Sequence, residues 1–252
     1  MSKQNINQMF FVLGVLLIAL LAYYLYATQT TKVVEDKGKV EVKAEDHVRG
    51  NVTAPVTMVQ FADFQCPACG AYEPMVREVM AKNSNDVKLV FRHFPLTNMH
   101  RNALLAAKYA EAAGKQNKFW EMHDILYDKQ KEWGESLTAQ SFFDGASVSL
   151  GLDMTQVKKD VEAKETEEII LSQYREGVKF GVAGTPSFFV NGVKIESPRS
   201  VEEFTQVIQK AKNGISTTTY KTEVKAPTST AALKTIYQPE TSTSVTKIKT
   251  LK

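Results

Sequence analysis

Apolar side chains follow three regimes along this chain. The first is an unbroken run, MFFVLGVLLIALLAYYLY from Met9 to Tyr26, eighteen residues without a charge. At a rise of about 1.5 Å per residue such a helix approaches the ~30 Å apolar thickness of a bilayer, so the run predicts one membrane-spanning helix. Tyr23, Tyr24 and Tyr26 gather at its outer end, where amphipathic rings favour the headgroup level, and Lys3 marks the other flank. A cleaved signal peptide would need an apolar region of about 7 to 15 residues and a small-x-small site, and no convincing site follows. The expectation is an uncleaved anchor over residues 1–27, with the bulk of the protein on the far side of the membrane.

The second regime is short strand-like runs. Val56 to Phe64 (VTMVQFADF) and Val87 to Phe94 (VKLVFRHF) are the first two. The third, Ser187 to Ile195, has SFFV and VKI flanking Asn191-Gly192, the strongest short hairpin signal. The third regime has helical spacing. It predicts a helix after Cys66 carrying Ala71, Met75, Val76 and Val79, with Pro74 inside it. Further helices are expected at Ala103–Ala113, Phe119–Tyr127, Ala139–Ser147 and Met154–Tyr174. A last one is announced by Ser200 with Glu203 three residues on, a capping box. The order is strand, helix, strand, a block of helices, a hairpin and a final helix. It predicts an α/β fold: a small mixed sheet with helices packed on it and a helical insertion at about residues 98–175.

Between and after these regimes the pattern lapses. Residues 28–49 are polar and charged and read as a spacer. Residues 214–252 form a Ser/Thr-rich tail, with fifteen Ser or Thr between Ser216 and Lys252, and are expected to be disordered. The folded domain is therefore placed at 50–213, long enough for one core that buries about 70% of its unfolded surface. Charge adds little to this. The 31 Lys and Arg against 28 Asp and Glu leave +3, and the tail alone holds six Lys and two Glu, so no nucleic-acid footprint is expected.

Chemistry concentrates at the only two cysteines, Cys66 and Cys69. Cys66-Pro67-Ala68-Cys69 sits where a strand ends and a helix begins, so Cys66 lies among unpaired N–H groups that stabilise negative charge. The thiolate is the nucleophile, and a lowered pKa also makes it a better leaving group. Pro67 presets the first helical turn. Cys69, one turn later, is placed to close the ring or to resolve a mixed disulfide. Alone the spacing is weak evidence. Zinc is disfavoured because His47, His93, His100 and His123 offer no compact partner pair, and haem attachment because Gly70, not His, follows Cys69. An inert structural disulfide stays open, although so short a ring restrains the unfolded chain little. Gly184-Thr185-Pro186 precedes the third strand, where a tight turn permits a cis bond and leaves Thr185 backbone groups to pair with an extended peptide.

Taken together, F-x-D-F-x-C-P-x-C at a helix start, VFRHFPL, a helical block and G-T-P-S-F-F-V-N-G resemble the DsbA family of thioredoxin-like thiol:disulfide oxidoreductases, in the membrane-anchored form. The resemblance covers roughly Val52 to Lys212. It implies a thioredoxin fold interrupted by a helical subdomain, Cys66 as exposed nucleophile, Cys69 as buried partner and Pro186 as the cis-proline facing them. It also implies a quinone-linked membrane partner for reoxidation. Two departures stand out. The buried acid that many relatives carry six residues before the first cysteine is Gln60 here, which leaves the proton relay for Cys69 unassigned. The dipeptide between the cysteines is Pro-Ala, without a histidine to stabilise the thiolate. Asp63, common in this branch, is either a proton holder or a solvated carboxylate.

His93 reads as a packing residue, and Trp120 and Trp133 as core. Phe188 and Phe189 point to opposite faces of one strand, so one of them is free to line the surface around Cys66. Asn51-Val52-Thr53 matches a glycosylation sequon, a short and unspecific pattern. The expected function is a cell-membrane, single-pass thiol:disulfide oxidoreductase with its catalytic domain outside the cytoplasm, acting on reduced or misoxidised protein substrates without metal or organic cofactor. The alternatives are a reductase or isomerase of the same fold, and a non-enzymatic surface module that binds proteins.

Overall fold

A run of apolar residues can be buried on one side of a strand or on both, and here the central strand is buried on both. The computed structural model of the chain describes residues 12–24 and 39–214. After a helix α1 at residues 12–24, its elements run β1 (His47–Gly50), β2 (Val56–Ala62), α2 (Pro67–Lys82), β3 (Val87–His93), α3 (Ala103–Gly114), α4 (Phe119–Asp128), α5 (Gln130–Trp133), α6 (Ala139–Ser149), α7 (Met154–Glu162), α8 (Lys164–Lys179), β4 (Ser187–Val190), β5 (Val193–Ile195) and α9 (Val201–Lys212). The strands form one sheet in the order β1-β3-β2-β4-β5. Only β2 and β3 are parallel, joined through α2; β1, β4 and β5 are antiparallel to their neighbours. The predicted α/β class, mixed sheet and helical insertion are all present.

Pairing puts Gln60, Phe91 and Phe188 on one face of the sheet and Val59, Val90 and Phe189 on the other. On the first face Phe188 packs edge-on against Phe204 of α9 and tilted against Tyr72 of α2. On the second, Phe189 meets Phe61 and Phe180, and Tyr174 of α8 stacks on Phe94. Both phenylalanines are buried, at 0% and 2% exposure. Neither lines an open surface, because helices cover both faces of a strand inside the sheet.

The hairpin forms as its dipeptide predicts: Asn191 (φ 48°) and Gly192 (φ 82°) take the left-handed conformations of a tight two-residue turn. A side chain at position 192 would come within 2.7 Å of the Lys39 Cβ. Ser200 caps α9 by accepting from the Glu203 N–H, while the Glu203 carboxylate reaches back one residue further than a capping box requires, to the Arg199 N–H.

Two boundaries differ from the sequence reading. The spacer assigned to residues 28–49 ends earlier, since β1 lies inside it and residues 39–46 pack on the domain. Charged residues there are partners, not solvated links. Asp46 holds the buried Arg92 of β3 through both carboxylate oxygens, at 3.0 and 2.6 Å, and Val40 donates its N–H to Gly192. The single helix expected at Met154–Tyr174 is two, α7 and α8, broken at Ala163 in an extended conformation. No Gly or Pro marks the break; Lys115, which follows α3, spans it, bonding both Asp160 and Thr166. At the amino end, α1 is described for thirteen residues of the expected span, and among the described residues no helix is long and apolar enough to cross a membrane. The rest of that span, and the tail from residue 215, lie outside the described residues.

Candidate active site at Cys66 and Cys69

Strand β2 delivers the chain to a tight turn at residues 63–66. The Cys66 N–H closes this turn on the Asp63 carbonyl, and the Cys66 carbonyl receives the Gly70 N–H at 3.1 Å as the first bond of α2. Cys66 is thus the N-cap residue with extended dihedrals, Pro67 occupies the first helical position, and Sγ faces the free N–H groups of the first turn. Cys69 follows on the inner side of the helix and is fully buried, and Cys66, expected to be exposed, is buried as well at 6% exposure, because the Thr185–Pro186 loop lies over it. Both cysteines are free thiols. The Thr185–Pro186 peptide is cis, as expected, and its loop brings the Thr185 carbonyl oxygen to 3.5 Å from Cys66 Sγ. Cys66, Cys69, Thr185, Pro186 and Pro67 are therefore gathered at one point.

The two thiols are driven apart in acidity. A hydrogen bond from the Cys69 thiol is the largest factor holding the Cys66 pKa down at about 5. Burial opposes it, and the Thr185 side chain and the N–H groups of Cys69 and Ala68 add to it. Cys69 moves the other way, well above the usual thiol range, first because it is buried and then because a negative Cys66 lies beside it. One proton shared this way leaves a thiolate at Cys66 and a thiol at the more deeply buried Cys69. Such a pair can attack or release sulfur at position 66 and must move a proton at position 69.

Asp63 is neither solvated nor exposed. Its carboxylate accepts from the Gln65 N–H (2.8 Å) and the Leu96 N–H (2.9 Å) and lies 2.6 Å from His100 Nδ1, which ties the turn before Cys66 to the loop after β3. His93 is a buried packing residue whose Nε2 lies 2.9 Å from Glu111. Gln60, in the place of the family's buried acid, is fully buried and neither of its amide atoms has a hydrogen-bond partner.

Sequence reasoning missed the side chains that rivet this turn to the helical block. Gln130 donates to the carbonyls of Phe64 (2.7 Å) and Cys66 (3.0 Å). Gln65 donates to the Gly134 carbonyl, and its own side-chain oxygen receives the Asn102 N–H. A Cβ at position 70 would sit 2.6 Å from Gln130 Oε1, so the Gln130 side chain would have to shift. A cleft of about 690 Å³ opens beside Pro67, between the start of α2 and α5. These partners lie far apart in sequence, and only the Asx-type bond from Asp63 to the N–H two residues on has a local signal.

Also missed was a charged group behind Cys69. Glu73 of α2 and His123 and Asp124 of α4 bring ligand-type atoms within 4.8 Å of one another. Arg77 donates to Glu73 at 3.1 Å, and Arg49 donates to both oxygens of Asp124 at 2.8 Å. Guanidinium groups thus pair with Glu73 Oε1 and with Asp124, while Glu73 Oε2 and His123 Nε2 have no hydrogen-bond partner.

Comparison with known proteins places this geometry. A sequence model of the family described as thioredoxin matches residues 43–210. Among curated proteins the chain is similar to segments of Na(+)/H(+) antiporters. It is 39% identical over 166 residues to NhaA 3 of Salinispora tropica, covering 66% of this chain and 24% of that one. It is 34% identical over 157 residues to NhaA 1 of Mycolicibacterium vanbaalenii, covering 61% and 24%. The chain spans about a quarter of the length of these relatives, so the similarity concerns one segment of them. Among solved structures it is similar to a thioredoxin-like oxidoreductase from Silicibacter pomeroyi (TM-score 0.59, 27% identity, 68% of this chain and 94% of that one). It is also similar to alpha-DsbA1 of Wolbachia pipientis (0.62, 20%, 69% and 94%) and BdbD of Bacillus subtilis (0.63, 23%, 70% and 97%). The chain belongs to the thioredoxin family and has the fold of its DsbA-type thiol:disulfide oxidoreductases.

Proposed function

We propose that the protein is a membrane-tethered enzyme that transfers a disulfide from its Cys66–Cys69 pair to reduced or misoxidised proteins outside the cytoplasm. The observation that carries this reading is the acidity split: a thiolate-prone Cys66 beside the Thr185–Pro186 loop, over a Cys69 kept neutral by burial. A substrate thiolate attacks Cys66 Sγ, the Cys66–Cys69 bond breaks, and Cys69 leaves and takes up a proton. The second substrate thiolate then attacks the substrate sulfur of the mixed disulfide, forming the substrate disulfide and releasing Cys66 as a thiolate. A thiolate that is stable when released favours this direction over reduction. Reoxidation falls to a quinone-linked membrane partner. The apolar run Met9–Tyr26 supports tethering, and that segments of similar sequence occur in relatives named as antiporters accords with work at a membrane. An oxidising compartment is where a pair of this kind would be kept as a disulfide.

The test is transfer to a reduced, unfolded protein carrying two thiols. The oxidised protein should convert it to the disulfide form with loss of its own, and Cys66→Ala should abolish the transfer. Turnover that survives Cys66→Ala would remove the proposal in favour of a protein-binding module.

A further inference from the structure

The main chain of Asp63 meets both cysteines. Its carbonyl receives the Cys66 N–H at 3.1 Å and the Tyr127 hydroxyl at 3.5 Å. Its backbone also bonds Cys69, easing a charge on that sulfur against the burial that pushes the thiol up. A displacement of this one residue therefore reaches the attacked sulfur and the leaving sulfur together. What holds Asp63 in place is its carboxylate, which is fully buried and meets three donors. Oδ1 accepts from the Gln65 N–H at 2.8 Å, and Oδ2 accepts from the Leu96 N–H at 2.9 Å and lies 2.6 Å from His100 Nδ1. A carboxylate only accepts, so Nδ1 carries the hydrogen of this bond.

Two of the donors are main-chain groups, and the third depends on a single side chain from the loop after β3. That loop is shaped to deliver it. The Leu96 carbonyl receives the N–H groups of Met99 (2.8 Å) and His100 (2.9 Å), so the chain makes one tight coil that brings the Leu96 N–H and the His100 ring to the same oxygen. Two residues on, the Asn102 N–H bonds Gln65 Oε1 at 2.7 Å and clamps the far end of the loop on the same active-site turn.

We propose that His100 is a positioning residue for exchange at Cys66: bonded to the Asp63 carboxylate, it fixes the turn that sets Cys66 at the start of α2 and the Asp63 main chain against Cys69. This rests on the disulfide-exchange reading above. A hydrogen bond to a carboxylate weights one conformation over its alternatives by about 10- to 10²-fold, which is the scale of effect expected when the ring is removed.

The experiment titrates the Cys66 thiolate by ultraviolet absorbance in the reduced full-length protein, and follows disulfide transfer to a reduced, unfolded protein with kcat and KM separated. His100→Ala should raise the Cys66 titration from about 5 by about one unit and lower kcat about tenfold, with KM unchanged. His100→Asn should restore both, because its amide N–H stands where Nδ1–H stood. In an Asp63→Asn background His100→Ala should add nothing, since the two residues act through one link. Should His100→Ala not fold, His100→Gln takes its place with the same expectation, its amide standing at the position of Nε2 and away from Asp63. A residue that only stabilises the fold would lower the melting temperature and leave the titration and kcat at wild-type values. That result, or a loss that His100→Asn fails to restore, overturns the assignment while exchange itself stands. Absence of any transfer by the wild type removes the exchange reading, and the Cys66 titration still decides whether His100 acts on the turn.

Discussion

Replacing Cys69 by Ala removes the largest single contributor to the low Cys66 pKa, the hydrogen bond from the neighbouring thiol. A hydrogen bond to a charged group is worth about 1.5 to 3 kcal/mol, and one pKa unit is about 1.36 kcal/mol, so the loss is about 1 to 2 units. The Cys66 pKa should rise from about 5 to roughly 6 to 7, with the N–H groups of the helix start and the Thr185 side chain retaining the remainder. Ultraviolet absorbance of the thiolate against pH measures this directly. There is a redox consequence. At pH 7 a pKa of about 5 in place of 9 favours the reduced form by at most ~2.7 kcal/mol, or ~60 mV for two electrons. Cys66 is buried at 6% exposure, so solvent screening takes little from this upper figure. A Cys66 that titrates near 9 in the wild type, or stays at about 5 in Cys69→Ala, would refute the reasoning.

Three further outcomes follow from the packing. Arg92 is fully buried between Asp46 and Glu176, so Asp46→Ala should cost about 3 kcal/mol in denaturant unfolding, and a loss below about 1 kcal/mol would mean the pair is not a stabilising link. Burial works against ionising Glu111, yet bonds with His47 and His93 hold its pKa at about 2 against the usual 4.5. Its folded-state pKa is depressed, so its contribution is complete above about pH 4.5 and fades as pH falls toward 2. Glu111→Gln should flatten the stability curve in that window, and an unchanged acid limb would count against the bond pair. Gly177→Ala on α8 would set a Cβ 2.7 Å from the Phe94 ring and 3.0 Å from Phe61. Despite better helix propensity it should lower stability by about 1 to 3 kcal/mol, measured by thermal melting.

Much of the site was legible because its signals are local. The turn at Cys66-Pro67, the Asn191-Gly192 hairpin, the Ser200 cap and the proline before β4 each impose a backbone choice within three or four residues, and each appears where the sequence placed it. The failures share a different cause. Strand β1 was hidden in a charged stretch because its residues satisfy partners distant in sequence: Arg49 reaches Asp124, and the neighbouring Asp46 reaches Arg92. At the Ala163 break Lys115 bonds residues of both helices, and no helix-breaking residue marks it in the sequence. Glu73 carries no local signal, and His123 of α4 approaches it to 4.0 Å, a contact between positions fifty apart that no periodicity announces.

The equilibrium of the Cys66–Cys69 pair with glutathione tests the central claim most directly. A Cys66 thiolate stabilised by its thiol neighbour and by the end of α2 predicts a potential above that of thioredoxin, about −270 mV, by up to roughly 60 mV toward the about −120 mV of DsbA. A value at or below about −270 mV would mean that the reduced form gains nothing from this geometry, and the oxidising role would fall.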